Sequence, residues 1–146
     1  MKKIFFFLII SLPVFSQEYK KPPEVISSMI EAEPQPILNF NDNGDFALML
    51  RRDGYKSIED LAIEELRIGG TRIDPLRYTS SRMTYYNSFS LLDINSGENI
   101  MLNHPKNGKF SFFSWSPDES KIAFTNTTAD GVELWVSDIE TKQSRK

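Results

Sequence analysis

The chain has 146 residues, 40% of them hydrophobic and 12% aromatic, with a formal charge of −3 and no cysteine. Such a length holds one ordinary domain, and such a composition excludes a disordered chain. Without cysteine, disulfide staples, thiolate metal sites and acylation at a cysteine are closed, and a mild acidity with no Lys/Arg cluster excludes nucleic acid as a partner.

The first residues read as a targeting segment. Lys2 and Lys3 precede an apolar run from Ile4 to Leu12, and Val14 and Ser16 stand three and one residues ahead of Gln17. This is the layout of a secretory signal peptide over residues 1–16, and the run is too short to cross a bilayer core of roughly 30 Å. The expected destination is periplasmic or extracellular. Cleavage removes two lysines and takes the formal charge from −3 to −5. An N-terminal extension, 17–37, follows. In it Pro22 and Pro23 precede Val25, Ile26, Met29 and Ile30 at helical spacing, so a short proline-opened helix is expected. Pro34 and Pro36 end it and impose an extended link.

The pattern then changes to short strands broken by turns. Asp42-Asn43-Gly44 is a turn signal ahead of a strand from Phe46 to Leu50. Further strands are expected through Phe89 to Leu92, Asn99 to Leu102, Phe110 to Trp115, Lys121 to Thr125 and Val132 to Ile139, with Ser116-Pro117-Asp118 as another turn. Sandwich, barrel and propeller all fit such a series. Internal repetition selects among them. Phe89 to Ser96 aligns with Leu134 to Thr141 around a shared Asp-Ile, Asp93-Ile94 and Asp138-Ile139, at an offset of 45 residues. That period suits a four-stranded propeller blade. A weaker echo joins Asn39 to Gly44 with Ser114 to Glu119, its offset lengthened by an insert at 53–87. The expected fold is all-β: a partial propeller of about one and a half blades over 38–146, ending where the outermost strand of the second blade should begin.

Phe113-Ser114-Trp115-Ser116-Pro117-Asp118-Glu119-Ser120-Lys121-Ile122-Ala123-Phe124, followed by Leu134 to Ile139, resembles the blade motif of TolB-type and prolyl-oligopeptidase-type propellers. The insert narrows this. Lys21-Pro22-Pro23, Ser57 to Ala62, Glu64 to Pro75 and Ser81-Arg82 resemble the N-terminal region of the glutamyl-endopeptidase branch of the prolyl oligopeptidase family. Gly69, Asp74 and Asn41 to Asn43 depart from the branch's pattern of alanine, asparagine and Ser-Pro-Asp. The resemblance implies an exported serine peptidase in which a propeller gates substrate access to an α/β-hydrolase domain. Its partners would be further C-terminal blades, that hydrolase domain and a peptide substrate. A non-enzymatic TolB-like binding propeller is the alternative.

No family catalytic residue maps onto this chain, which holds no Gly-x-Ser-x-Gly elbow and a single histidine, His104, in a turn-like Asn-His-Pro. No cofactor or metal is expected. Asn41, Asp42, Asn43 and Asp45 around Gly44 mimic part of a calcium loop but lack its later glutamate, so a turn is expected there. Asp93 and Asp138 are read as holding the turns after their strands. Arg67, Arg72, Arg77 and Arg82 in the insert are candidate contacts for an acidic substrate, since guanidinium forks grip carboxylates. The competing reading pairs them with Glu59, Glu64 and Glu65. Trp115, Trp135, Phe110, Phe112, Phe113 and Phe124 are read as packing between blades, and Asn126-Thr127-Thr128 is a glycosylation sequon.

Overall fold

The computed structural model describes residues 20–146, so the expected signal peptide lies outside the described residues. One helix, α1 (Glu24–Glu31), belongs to a unit that ends at Glu31, and Ala32–Lys146 form a second compact unit. The helix starts where the two prolines put it: the Pro23 carbonyl accepts from the amides of Ile26 and Ser27 at 2.9 and 3.1 Å. Among the described residues, no helix is long and apolar enough to cross a membrane.

The second unit is all-β apart from one short helix. Its strands are β1 (Ile37–Phe40), β2 (Phe46–Arg51), β3 (Leu66–Ile68), β4 (Thr71–Asp74), β5 (Thr79–Ser80), β6 (Ser88–Asp93), β7 (Asn99–Ile100), β8 (Phe110–Trp115), β9 (Lys121–Thr127), β10 (Val132–Asp138) and β11 (Ser144–Arg145), with α2 (Ile58–Ala62) between β2 and β3. Two four-stranded sheets, ordered β1-β2-β6-β7 and β8-β9-β10-β11, are antiparallel meanders, and a three-stranded sheet β3-β4-β5 lies in the insert. This is the blade pattern of a partial propeller. The expected blade and a half becomes two four-stranded sheets whose outermost strands, β7 and β11, are two residues long.

The repeat read from the sequence is a repeat of hydrogen bonds. In the first sheet the Asp93 amide bonds the Glu98 carbonyl and the Ile94 amide bonds the Asp45 carbonyl, both at 2.9 Å. In the second, Asp138 bonds Gln143 at 2.9 Å and Ile139 bonds Ser120 at 3.0 Å. Each Asp-Ile thus ties the end of its third strand to the turn between the first two. Asp93 and Asp138 also do what was expected of them. The Asp93 carboxylate accepts from the amides of Asn95 and Ser96 at 2.8 and 3.1 Å, and that of Asp138 from the Thr141 amide at 2.9 Å.

Between the sheets lies one core of Leu48, Leu50, Phe89, Leu91, Leu102, Phe110, Ile122 and Phe124. Phe124 meets Phe89 at 4.8 Å and Phe110 at 5.5 Å between ring centroids, and Phe89 meets Phe110 at 5.3 Å, all edge to face. That arrangement puts positive ring edges against negative faces. Polar links add direction. Trp115 donates from Nε1 to Asn39 Oδ1 at 2.8 Å, across the two sheets. Glu119 reaches from the β8–β9 turn to the β1–β2 turn, where it accepts from the Asn43 amide at 3.1 Å, from Asn43 Nδ2 at 2.8 Å and from Asn41 Nδ2. The residues that mimic a calcium loop therefore form a turn clamped by the neighbouring sheet, and Asn41 Oδ1 accepts from the Phe46 amide at 2.9 Å.

Not every aromatic residue of β8 packs inward. The register shifts between Ser111 and Ser114, Phe112 takes a left-handed φ of 52°, and its side chain is 69% exposed. An extra residue in one strand of a pair has this effect: it turns a side chain out of the ladder. Phe112 thus stays out of the core that the two sheets share, unlike Phe110 and Phe124. Trp135 stacks on Phe124 within its own sheet, with centroids 6.5 Å apart.

Candidate functional site

The insert is a small folded unit on a closed neck. Asn87 donates from Nδ2 to Asp53 Oδ1 at 2.8 Å and from its amide to the Arg51 carbonyl at 2.9 Å, so the two ends of 53–87 lie together. Ser57 caps α2 by accepting from the Asp60 amide at 3.0 Å. Asp60 in turn meets Lys109, just ahead of β8, at 2.6 Å. The Lys109 side chain, whose hydrogen bond is the largest influence, holds the Asp60 carboxyl below its ordinary range. Lys109 Nζ also lies 5.9 Å from the Tyr85 ring centroid.

Between the insert and the Asn107–Lys109 loop opens a cavity of about 430 Å³, lined among others by Tyr55, Tyr85, Tyr86, Arg77, Arg82 and Thr127. Ligand pockets of folded proteins span this size. Most of the charge around it is internally matched. Glu65 accepts from Arg72 Nη1 at 2.7 Å, from Arg82 Nε at 2.6 Å and from Ser81 Oγ at 3.1 Å. Those bonds, led by Arg72, outweigh burial and lower its carboxyl to about 2. Asp74 is almost fully buried. Burial pushes its carboxyl up, but the Arg77 guanidinium at 2.8 Å and the amides of Leu76 and Arg77 bring it below its ordinary range. The same pairing raises Arg77.

The four candidate arginines therefore divide. Arg72 and Arg82 converge on Glu65, Arg77 pairs with Asp74, and Arg67 is exposed on β3 with no acidic partner among the described residues. Glu59 and Glu64, offered as partners by the sequence, pair with none of the four; Asp74 was not foreseen. Neither was Lys109, whose link to Asp60 spans 49 residues of chain and leaves no local trace. His104 packs against core rings, tilted on Phe89 at 4.7 Å and edge to face with Phe110 at 5.0 Å, with Nδ1 3.1 Å from the Pro105 carbonyl. The sequon asparagine, Asn126, is buried: its Oδ1 accepts from the Lys109 amide at 3.1 Å and its Nδ2 donates to Glu133 at 3.3 Å.

A pH dependence follows from Glu65. Its folded value lies below the ordinary 4.5, so it stabilises the insert above that value, and the contribution is lost as pH falls from 4.5 toward about 2. Amide-exchange protection in β3 to β5 should drop across that window. Glu65→Gln should lower protection already at neutral pH and flatten the acid response.

No family model matches the chain. Curated relatives do. Over 138 residues it is 28% identical to a protein of Oryza sativa subsp. japonica described as a probable chloroplastic glutamyl endopeptidase, covering 87% of this chain and 15% of that protein. The Arabidopsis thaliana protein of the same description is 32% identical over 137 residues, covering 87% and 14%. The chain is related to the N-terminal region of prolyl oligopeptidase-family peptidases. It spans about one seventh of the relatives' length, from the 15% and 14% shares. Among solved structures, a Bacteroides ovatus protein described as a putative dipeptidyl aminopeptidase IV matches 78% of this chain and 18% of its own at 15% identity, with a TM-score of 0.49, too slight a likeness to bear on fold or function.

Proposed function

We propose that this chain is the propeller portion of an exported serine peptidase of the prolyl oligopeptidase family, gating peptide access to a hydrolase domain that other residues of the protein supply. The observation that carries the reading is the match over 87% of the chain to glutamyl endopeptidases at 28% and 32% identity. The bound insert supports it: this part of the sequence carried the branch resemblance, and it folds as a unit with its own cavity. Export rests on the basic, apolar first residues and on the small residues Val14 and Ser16 ahead of Gln17.

Two results are expected. Mature protein recovered from the exported fraction begins at Gln17, and recovery of soluble protein retaining Met1 would overturn export. Residues 17–146 alone hydrolyse no peptide or ester, because acyl transfer needs a nucleophile, a base and an oxyanion hole, and His104 packs against the core rings of Phe89 and Phe110. The protein bearing the hydrolase domain cleaves peptides, and loss of that activity on deleting the propeller's insert would accord with gating. A full-length protein that binds peptides and cleaves none would leave the TolB-like alternative.

A further inference from the structure

We infer that the outer edge of β3 is a docking strand for an extended peptide in which an acidic residue stands between two apolar ones. The inference draws on the peptidase reading for the supply of extended peptides; the recognition is argued from the strand itself.

β3 is the outermost strand in the order β3-β4-β5. It joins β4 through Gly69 and Gly70, whose φ angles of 56° and 85° are both left-handed, as a two-residue hairpin turn of the primed kind requires. In such a hairpin the pair that closes the turn, Ile68 and Thr71, exchanges hydrogen bonds, and bonded pairs then alternate with unbonded ones. Leu66 and Ile73 therefore bond, while Arg67 and Arg72 do not. The N–H and C=O of Arg67 point away from β4. The alternation shows on the other side of β4, where the Arg72 carbonyl accepts from the Ser81 amide at 3.0 Å. Outside the β3–β4 ladder, no backbone bond reaches Arg67 among the described residues. An open strand edge of this kind is a template for an added strand.

The side chains specify what would be added. Strand alternation sets Leu66 and Ile68 on one face, 44% and 60% exposed, and Arg67 on the other beside Arg72 of the neighbouring strand. Like charges directly opposite one another are unfavourable. Arg72 is neutralised by Glu65 at 2.7 Å; Arg67 is not neutralised by any acid among the described residues. An antiparallel segment bonded to Arg67 places one residue directly across from it on the same face. A carboxylate there would engage the guanidinium through charge-assisted hydrogen bonds. Its two neighbours would fall on the opposite face, over Leu66 and Ile68. The strand thus asks for an apolar–acidic–apolar sequence in extended form.

The full chain, tethered sparsely on a biosensor so that copies do not meet, is titrated with a short peptide alternating valine and glutamate. A twin is N-methylated at its glutamate amides, and a third peptide carries lysine for glutamate. The first should bind, with affinity falling as salt rises; the twin should bind about tenfold more weakly or not at all, having lost its backbone donors. Arg67→Ala should weaken binding and remove its salt dependence, and Arg67→Pro, which removes the outward N–H, should abolish it. Equal binding of the N-methylated twin or of the lysine peptide would overturn the site, as would no binding of the first peptide, and the peptide comparison does so without any variant having to fold. Peptide cleavage by the full-length protein reads out the peptidase proposal separately. Cleavage without binding at β3 overturns the docking strand alone.

Discussion

Phe124→Ala is expected to cost about 3–5 kcal/mol and to remove the fixed tertiary structure of the two-sheet unit. Phe124 is fully buried on β9 and touches the rings of Phe89, Phe110, Phe113 and Trp135, so one truncation empties the centre of both sheets' shared core. Folded domains hold roughly 5–15 kcal/mol in total, so little would remain. Near-ultraviolet circular dichroism should lose its aromatic signal while the far-ultraviolet strand signal persists. Phe112→Ala, at the exposed bulge, should leave the aromatic signal intact, and a matching loss there would show that the core is misplaced.

The second large effect comes from the faces that the two sheets turn away from each other. Leu38 and Phe40 on β1, and Phe112, Val132 and Leu134 on the other sheet, are 44%, 55%, 69%, 45% and 63% exposed. Cross-strand register sets Leu134 opposite Thr125 and Val136 opposite Ala123, an outward face with no charge among these four. In a closed propeller such faces meet neighbouring blades. Fully burying one large apolar side chain contributes roughly 1.5–3 kcal/mol, so five of them left partly exposed forgo a substantial share of a domain's stability. The chain by itself should therefore bind apolar dyes and self-associate, and Val132→Lys with Leu134→Lys should suppress both without disturbing the core.

Much of this was legible in the residues because propellers repeat. The recurring Asp-Ile exposed the blade period, and each copy proves to make the same two backbone bonds. β8 was read to the residue, and β2, β9 and β10 to within one or two positions at an end, because apolar runs are bounded there by turn residues such as Asn43-Gly44 and Ser116-Pro117-Asp118. β1 was taken for an extended link: Ile37, Leu38 and Phe40 follow a proline and remain exposed, so no burial pattern marks the strand. The sheet of the insert was missed for the same reason, since all three residues of β3 are exposed. The arginine pairings were half legible. That carboxylates of the insert would take them followed from composition. Which carboxylates did so depended on a hairpin that brings Glu65 under Arg72 and Arg82 and on a turn that folds Arg77 back onto Asp74.

These two sheets are expected to form part of a larger propeller. Thermal unfolding with dye binding, run on residues 17–146 and on the same residues joined to the rest of the proposed propeller, tests it most directly. The longer protein should melt in one sharp transition and exclude the dye, whereas the shorter one should bind dye before melting and melt broadly. A monomeric short chain with a sharp transition and no dye binding would show that its two sheets close their own core, and would contradict the claim.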